Sequence, residues 1–236
     1  MLTRLLKRSA FRLTLLAWAS LLTAPAWAAP DLALEVVHRS SSIGADGIQR
    51  DTLLTERMTR MGNTVWVERV MPAGYAHPDE AHKPQSASKS SRDEHKHADL
   101  SAATRWIERQ EGGKLRFRLV AAHDKVIVDV APNEFATVGF DGKWDAAYHL
   151  IDPALLKKLQ LGTAESGAQW FENAKGAADT KVRILWSAKY EIPLKVISQN
   201  RTATRTTTTK ILSVAPTKPW QAVSKFATKD YSDFLD

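Results

Sequence analysis

From Lys114 to Leu119 the chain reads Lys-Leu-Arg-Phe-Arg-Leu, so Leu115, Phe117 and Leu119 share one side and Lys114, Arg116 and Arg118 the other. A period of two belongs to a strand with one face buried and one face in water. The same period recurs earlier, in Leu32–Arg39 (LALEVVHR), in Asp51–Met61 and in Thr64–Met71 (TVWVERVM). In the last of these Val65, Val67 and Met71 face one way, and Trp66, Glu68 and Val70 the other. Gly62-Asn63 between two such runs predicts a hairpin. Ala103–Gln110 (ATRWIERQ) turns through Glu111-Gly112-Gly113 into Lys114–Ala121, and His123-Asp124 leads into Lys125–Val130. On paper His123-Asp124 is an acid–base pair, but Asp is favoured in turns because its side chain bonds nearby backbone, and the turn is the stronger reading.

The closing third repeats the pattern. Lys181–Lys189 (KVRILWSAK), Ile192–Gln199 (IPLKVISQ) and Ala203–Val214 (ATRTTTTKILSV) predict three successive antiparallel strands. The threonine run suits a pleated face, where β-branched side chains lose little freedom. Pro193 has no N–H for a ladder and places the middle strand's start at an edge or a bulge. Asp152-Pro153 opens a short helix, with Asp152 as N-cap, Pro153 in the first turn and Leu155, Leu156 and Leu159 as its apolar stripe. Thr163 to Asp179 carries no clear period. Trp220, Phe226, Tyr231 and Phe234 punctuate the tail and are read as docking residues.

The N-terminus carries a different signal. Arg4, Lys7, Arg8 and Arg12 precede the apolar run Leu13–Leu22, and Pro25 precedes Ala26-Trp27-Ala28, a small-x-small box. These three parts in this order predict an export signal cleaved after Ala28, since the apolar run is well short of the roughly 20 residues a membrane span needs. No Cys stands at the cleavage site to carry a lipid. The expected product is a soluble, unlipidated periplasmic chain, residues 29–236, forming one domain. Removing residues 1–28 takes four of the 33 basic residues and none of the 26 acidic ones, so the net charge falls from +7 to +3. Nucleic acid is therefore not an expected partner, since its footprint is a clustered basic face on a strongly basic domain. With no Cys anywhere, disulfides, thiolate chemistry and cysteine-ligated metal centres are excluded.

Between Pro72 and Ser101 the composition changes abruptly. Aliphatic residues almost vanish, and Pro, Ser, Lys and His dominate. Too little apolar area is available there to offset the entropy of ordering, which predicts a mobile histidine-rich loop. It carries His77, His82, His95 and His97 among Asp79, Glu80, Asp93, Glu94 and Asp99. Imidazole with carboxylate suits Zn²⁺, Cu²⁺ or Ni²⁺, which makes these four histidines the candidate metal ligands. The competing reading is a solvated low-complexity stretch, because metal sites usually need a rigid surrounding shell. No other cofactor is expected. There is no Gly-x-Ser-x-Gly, His-Glu-x-x-His, phosphate-binding glycine loop or Ser-x-x-Lys, so no residue pattern argues for an enzyme. His149 beside Tyr148 fits a half-buried histidine with one nitrogen satisfied, or a residue at a pocket mouth.

The segment Trp186–Tyr231, WSAKYEIPLKVISQ followed by ATRTTTTKILSV and the Phe226/Tyr231 tail, resembles the periplasmic lipoprotein-carrier superfamily, which includes the lipoprotein localisation carriers and the sigma-E regulator sensor domain. Leu32–Met71 is more loosely similar to that group's opening strands, and the long histidine-rich loop is a departure that the group does not need. The resemblance implies a mainly β fold: a strongly curved antiparallel sheet or open half-barrel, with one or two short helices on its concave side. It also implies a non-enzymatic binding or carrier module for an apolar ligand or a lipidated partner. Two alternatives stand beside it, a metal-binding protein working through the histidine-rich loop and a regulator that recognises another envelope protein. The tryptophans at 66, 106, 144, 170, 186 and 220 fit either a packed core or the lining of a lipid-sized cavity.

Overall fold

The computed structural model describes residues 29–71, 100–173 and 179–234. The predicted export segment, residues 1–28, lies outside them. The strands are β1 (Leu32–Ile43), β2 (Gln49–Met61), β3 (Thr64–Val70), β4 (Thr104–Arg109), β5 (Leu115–Ala121) and β6 (Val126–Val130). After a helical interlude come β7 (Gln160–Glu165), β8 (Ala168–Glu172), β9 (Lys181–Ser187), β10 (Ile192–Gln199), β11 (Ala203–Ile211) and β12 (Ala227–Asp230). They form one sheet in the order β12-β6-β5-β4-β3-β2-β1-β11-β10-β9-β8-β7. The sheet is open and curved, and the expected half-barrel is the observed fold.

Two meanders build it, β1 to β6 and β7 to β11. They are joined where β1 pairs with β11, with Val36 opposite Thr209 and His38 opposite Thr207. Every pair is antiparallel except β12 with β6, whose parallel register sets Ala227 beside Val126. The β2–β3 hairpin turns at Gly62, whose φ of 53° is a left-handed conformation that glycine adopts without penalty. The ladder of β10 with β9 shifts register between Pro193 and Lys195, as a residue without an N–H requires.

Register determines which side chains meet on the inner face. Leu34 lies opposite Met58, Met58 opposite Val67, and Ile107 opposite both Val65 and Phe117. All of these are buried in one continuous core. The second layer of this core is the stretch between β6 and β7. It includes the single α-helix among the described residues, α1 (Trp144–His149), and a 3₁₀ turn at Pro153–Lys158. Asp152 caps that turn by accepting a hydrogen bond from the Ala154 N–H at 2.8 Å. The predicted leucine stripe is only partly realised, since Leu155 is exposed. Phe117 holds the layer to the sheet, stacked on Phe140 at 4.8 Å between ring centroids, with Phe135 edge-on at 5.8 Å.

The outer face departs from expectation at β5. Alternation predicts Arg118 in solvent, yet Arg118 is 7% exposed. On this side the tail residues Trp220, Val223 and Phe226 pack with Trp66, Trp106, Val120 and Ile127. Arg118 lies 3.2 Å over the Trp106 ring and pairs with Glu108, so its charge is answered before it is buried. Trp66 meets Trp106 edge-on at 5.8 Å. No helix among the described residues is long and apolar enough to cross a membrane.

Candidate binding cleft

The concave face holds an open cleft of about 410 Å³ between the sheet and the layer above it. That volume falls within the roughly 300–1,000 Å³ of small-molecule sites. Its floor is Val36, Met58, Val67, Ile107 and Phe117, the inward positions of five neighbouring strands. Its roof is Val138, Phe140, Ala147 and Leu150. A second lobe of about 350 Å³ continues from it, bounded by Leu54, Arg69, Leu100, Leu119 and Tyr231. The two lobes share Glu56, Val67, Arg105 and Val138.

Polar chemistry gathers where the lobes meet. Arg105 Nη2 donates to Glu56 Oε1 at 2.7 Å. His38 Nε2 lies 3.4 Å from Glu56 Oε2, and His38 Nδ1 is 2.9 Å from the Thr207 hydroxyl. Burial raises the Glu56 carboxyl, but the hydrogen bond from His38 and the charge of Arg105 outweigh it and hold the group below its ordinary value. With Glu56 ionised, a neutral His38 carries its proton on Nε2 and accepts from Thr207 through Nδ1, a tautomer assigned from these partners. The strand alternation carries a signal for these residues, because His38 follows Val36 and Glu56 precedes Met58 by two positions each, in phase with the apolar stripe.

At the far end of the core Arg60 is fully buried. Its guanidinium donates to four backbone carbonyls: Pro30 at 3.2 Å, Tyr148 at 3.2 Å, Tyr190 at 2.5 Å and Glu191 at 3.4 Å. It also lies 4.7 Å from the Tyr148 ring centroid. Burial lowers the Arg60 pKa and raises that of the Tyr148 phenol. His149 Nδ1 is 2.7 Å from the Glu191 carbonyl, which is the half-buried, singly satisfied histidine expected of it.

The four candidate metal ligands, His77, His82, His95 and His97, lie outside the described residues. Among the described residues no group of three or more His, Asp or Glu is placed to hold a metal ion. His123-Asp124 occupies the turn between β5 and β6, as the turn reading expects.

No family model matches the sequence, and no curated protein matches it. Among solved structures the chain is similar to PNGF-II, at 11% identity and a TM-score of 0.36, over 87% of this chain and 32% of that one. The chain thus spans about a third of PNGF-II's length. It is also similar to a LolA superfamily protein from Nitrosomonas europaea, at 7% identity and a TM-score of 0.35, over 80% of this chain and 91% of that one. A putative outer membrane lipoprotein-sorting protein domain from Vibrio parahaemolyticus matches at 8% identity and a TM-score of 0.33, over 82% and 89%. These are weak structural relationships.

Proposed function

We propose that this chain is a non-enzymatic periplasmic binding or carrier protein that holds an apolar ligand, or the acyl part of a lipidated partner, in its concave cleft. The observation that carries this reading is the cleft itself. Apolar side chains from β1 to β5 form its floor, and Val138, Phe140, Ala147 and Leu150 roof it without filling the space between. Lining of this kind with a few convergent polar groups is the usual constitution of a small-molecule site. The basic, apolar and small-residue order of residues 1–28 supports export. The resemblance over Trp186–Tyr231 points the same way.

Purification from cells without detergent, followed by native mass spectrometry and extraction of bound lipid, tests the reading. A mass increment that resolves into acyl-bearing molecules at close to one per chain is the expected result. Protein that is consistently empty, with a collapsed interior, would contradict it.

A further inference from the structure

We propose that the ligand of this cleft is an amphiphile with an oxyanion head, carboxylate or phosphate, and that the head sits on Arg105 and Arg69 where the two lobes meet. This rests on the binding reading above and names the chemistry of what is bound.

The argument begins with register. Glu56 lies directly opposite Arg69 on β3, and Val67, two residues before Arg69, lies opposite Arg105 on β4. Residues directly opposite on one face of an antiparallel pair have Cβ atoms roughly 4.5–5.5 Å apart, so Arg69 starts from beside Glu56, while Arg105 reaches that carboxylate directly and both arginines line the second lobe. Among the described residues the sum of charge is then unbalanced. Arg105 and His38 both turn to Glu56, and Arg69 has no ion pair among the described residues. Among the described residues the other acid on the cleft is Asp141, which lies at its roof and pairs with Lys143 at 3.8 Å.

Arg105 also has capacity to spare. A guanidinium presents five N–H donors in a rigid fork. The hydrogen bond to Glu56 uses Nη2, and no other donor of Arg105 is engaged among the described residues. Its side chain is 42% exposed, so the free edge is accessible from the cleft. Glu56, itself held by His38, fixes the guanidinium without saturating it. Beside apolar walls an oxyanion completes such a fork with charge-assisted hydrogen bonds. An uncharged head leaves the surplus positive charge unanswered, and a cationic head adds to it. The apolar tail then lies along Met58, Ile107, Phe117 and Phe140 in the first lobe.

The test is calorimetry on delipidated full-length mature protein with four ligands that have the same number of carbons in the main chain: palmitate, hexadecyl phosphate, hexadecanol and hexadecyltrimethylammonium. At least one of the two anions is expected to bind about tenfold or more tighter than the alcohol and the cation, and the better anion identifies the head. Arg105→Gln and, separately, the exposed Arg69→Gln should each shrink that preference by several-fold, with circular dichroism confirming the fold. If the alcohol binds as tightly as both anions, the head assignment is overturned and the binding reading stands. Tighter binding of the cation overturns it as well and transfers recognition to Glu56. If none of the four binds, both readings fall. Full anion preference in both variants removes Arg105 and Arg69 from the site and overturns the proposal.

Discussion

Replacing Arg60 with Met is expected to destabilise the protein by about 3–5 kcal/mol, because several buried carbonyls lose a charged donor at roughly 1–3 kcal/mol apiece. Arg60 projects from β2 into the core and answers four carbonyls from three places in the chain: the lead-in to β1, the end of α1 and the turn between β9 and β10. Methionine fills a similar volume but takes this donor from the Pro30, Tyr148 and Tyr190 carbonyls, while the Glu191 carbonyl keeps His149 Nδ1, so the loss reports hydrogen bonding and not a cavity. For a chain of this length the midpoint of thermal unfolding should fall by about 10 °C. Arg60→Lys keeps the charge but has fewer donors and no fork, and should fall between the two. Thermal unfolding of the three proteins by circular dichroism decides the matter. A Met variant within about 1 kcal/mol of the parent would mean that the four carbonyls find other donors cheaply.

Truncation of Phe117 to Ala should cost a similar amount, about 3–5 kcal/mol, by the different mechanism of cavity formation. Phe117 is 1% exposed and is the aromatic contact through which β5 holds Phe135 and Phe140. Because those rings belong to the layer over the cleft, the loss should be uneven. Hydrogen exchange should quicken first in residues 135–150, ahead of β1 and β2. Phe117→Leu keeps most of the apolar volume and should cost roughly 1–1.5 kcal/mol. Uniform acceleration across the sheet would show that the roof is held by something other than this aromatic contact.

The strands were readable wherever burial on one face left a period of two, as in β1, β3, β5 and the three strands β9 to β11. Turns, ladder breaks and caps were readable where one residue type has a backbone reason to be there, as with Gly62, Pro193 and Asp152. What escaped has equally specific causes. β12 is exposed along its length and is a strand because the edge of β6 offers it partners, which nothing in Ala227–Asp230 announces. β7 is likewise exposed throughout and carries Leu161 at 71% exposure, so no alternation marks it. Arg118 has the phase of a solvent residue and is buried against Trp106, on the face where a tail a hundred residues later packs.

The cleft was less legible than the fold. His38 and Thr207 are 169 positions apart, and Arg105 and Glu56 are 49 apart. Only the closure of β1 on β11 and the sequence of hairpins bring them to one place. Single residues such as His38 and Glu56 could be suspected from their phase with the apolar stripe, but their convergence is a property of register. Arg60 shows the same limit from the other side. Its phase with Met58 points inward, yet the carbonyls that receive it come from segments up to 131 residues away.

Photochemical mapping tests most directly whether the concave face is the binding site. A palmitate analogue and its alcohol counterpart, each with a diazirine near the end of the chain, are irradiated on the full-length mature protein, and the labelled peptides are sequenced. The predicted result is saturable labelling within β2 to β5 and residues 138–150, competed away by unlabelled ligand. Saturable labelling confined to the convex cluster of Trp220, Val223 and Phe226, or to the exposed Ile43, Ile48 and Leu53 around the β1–β2 hairpin, would contradict it.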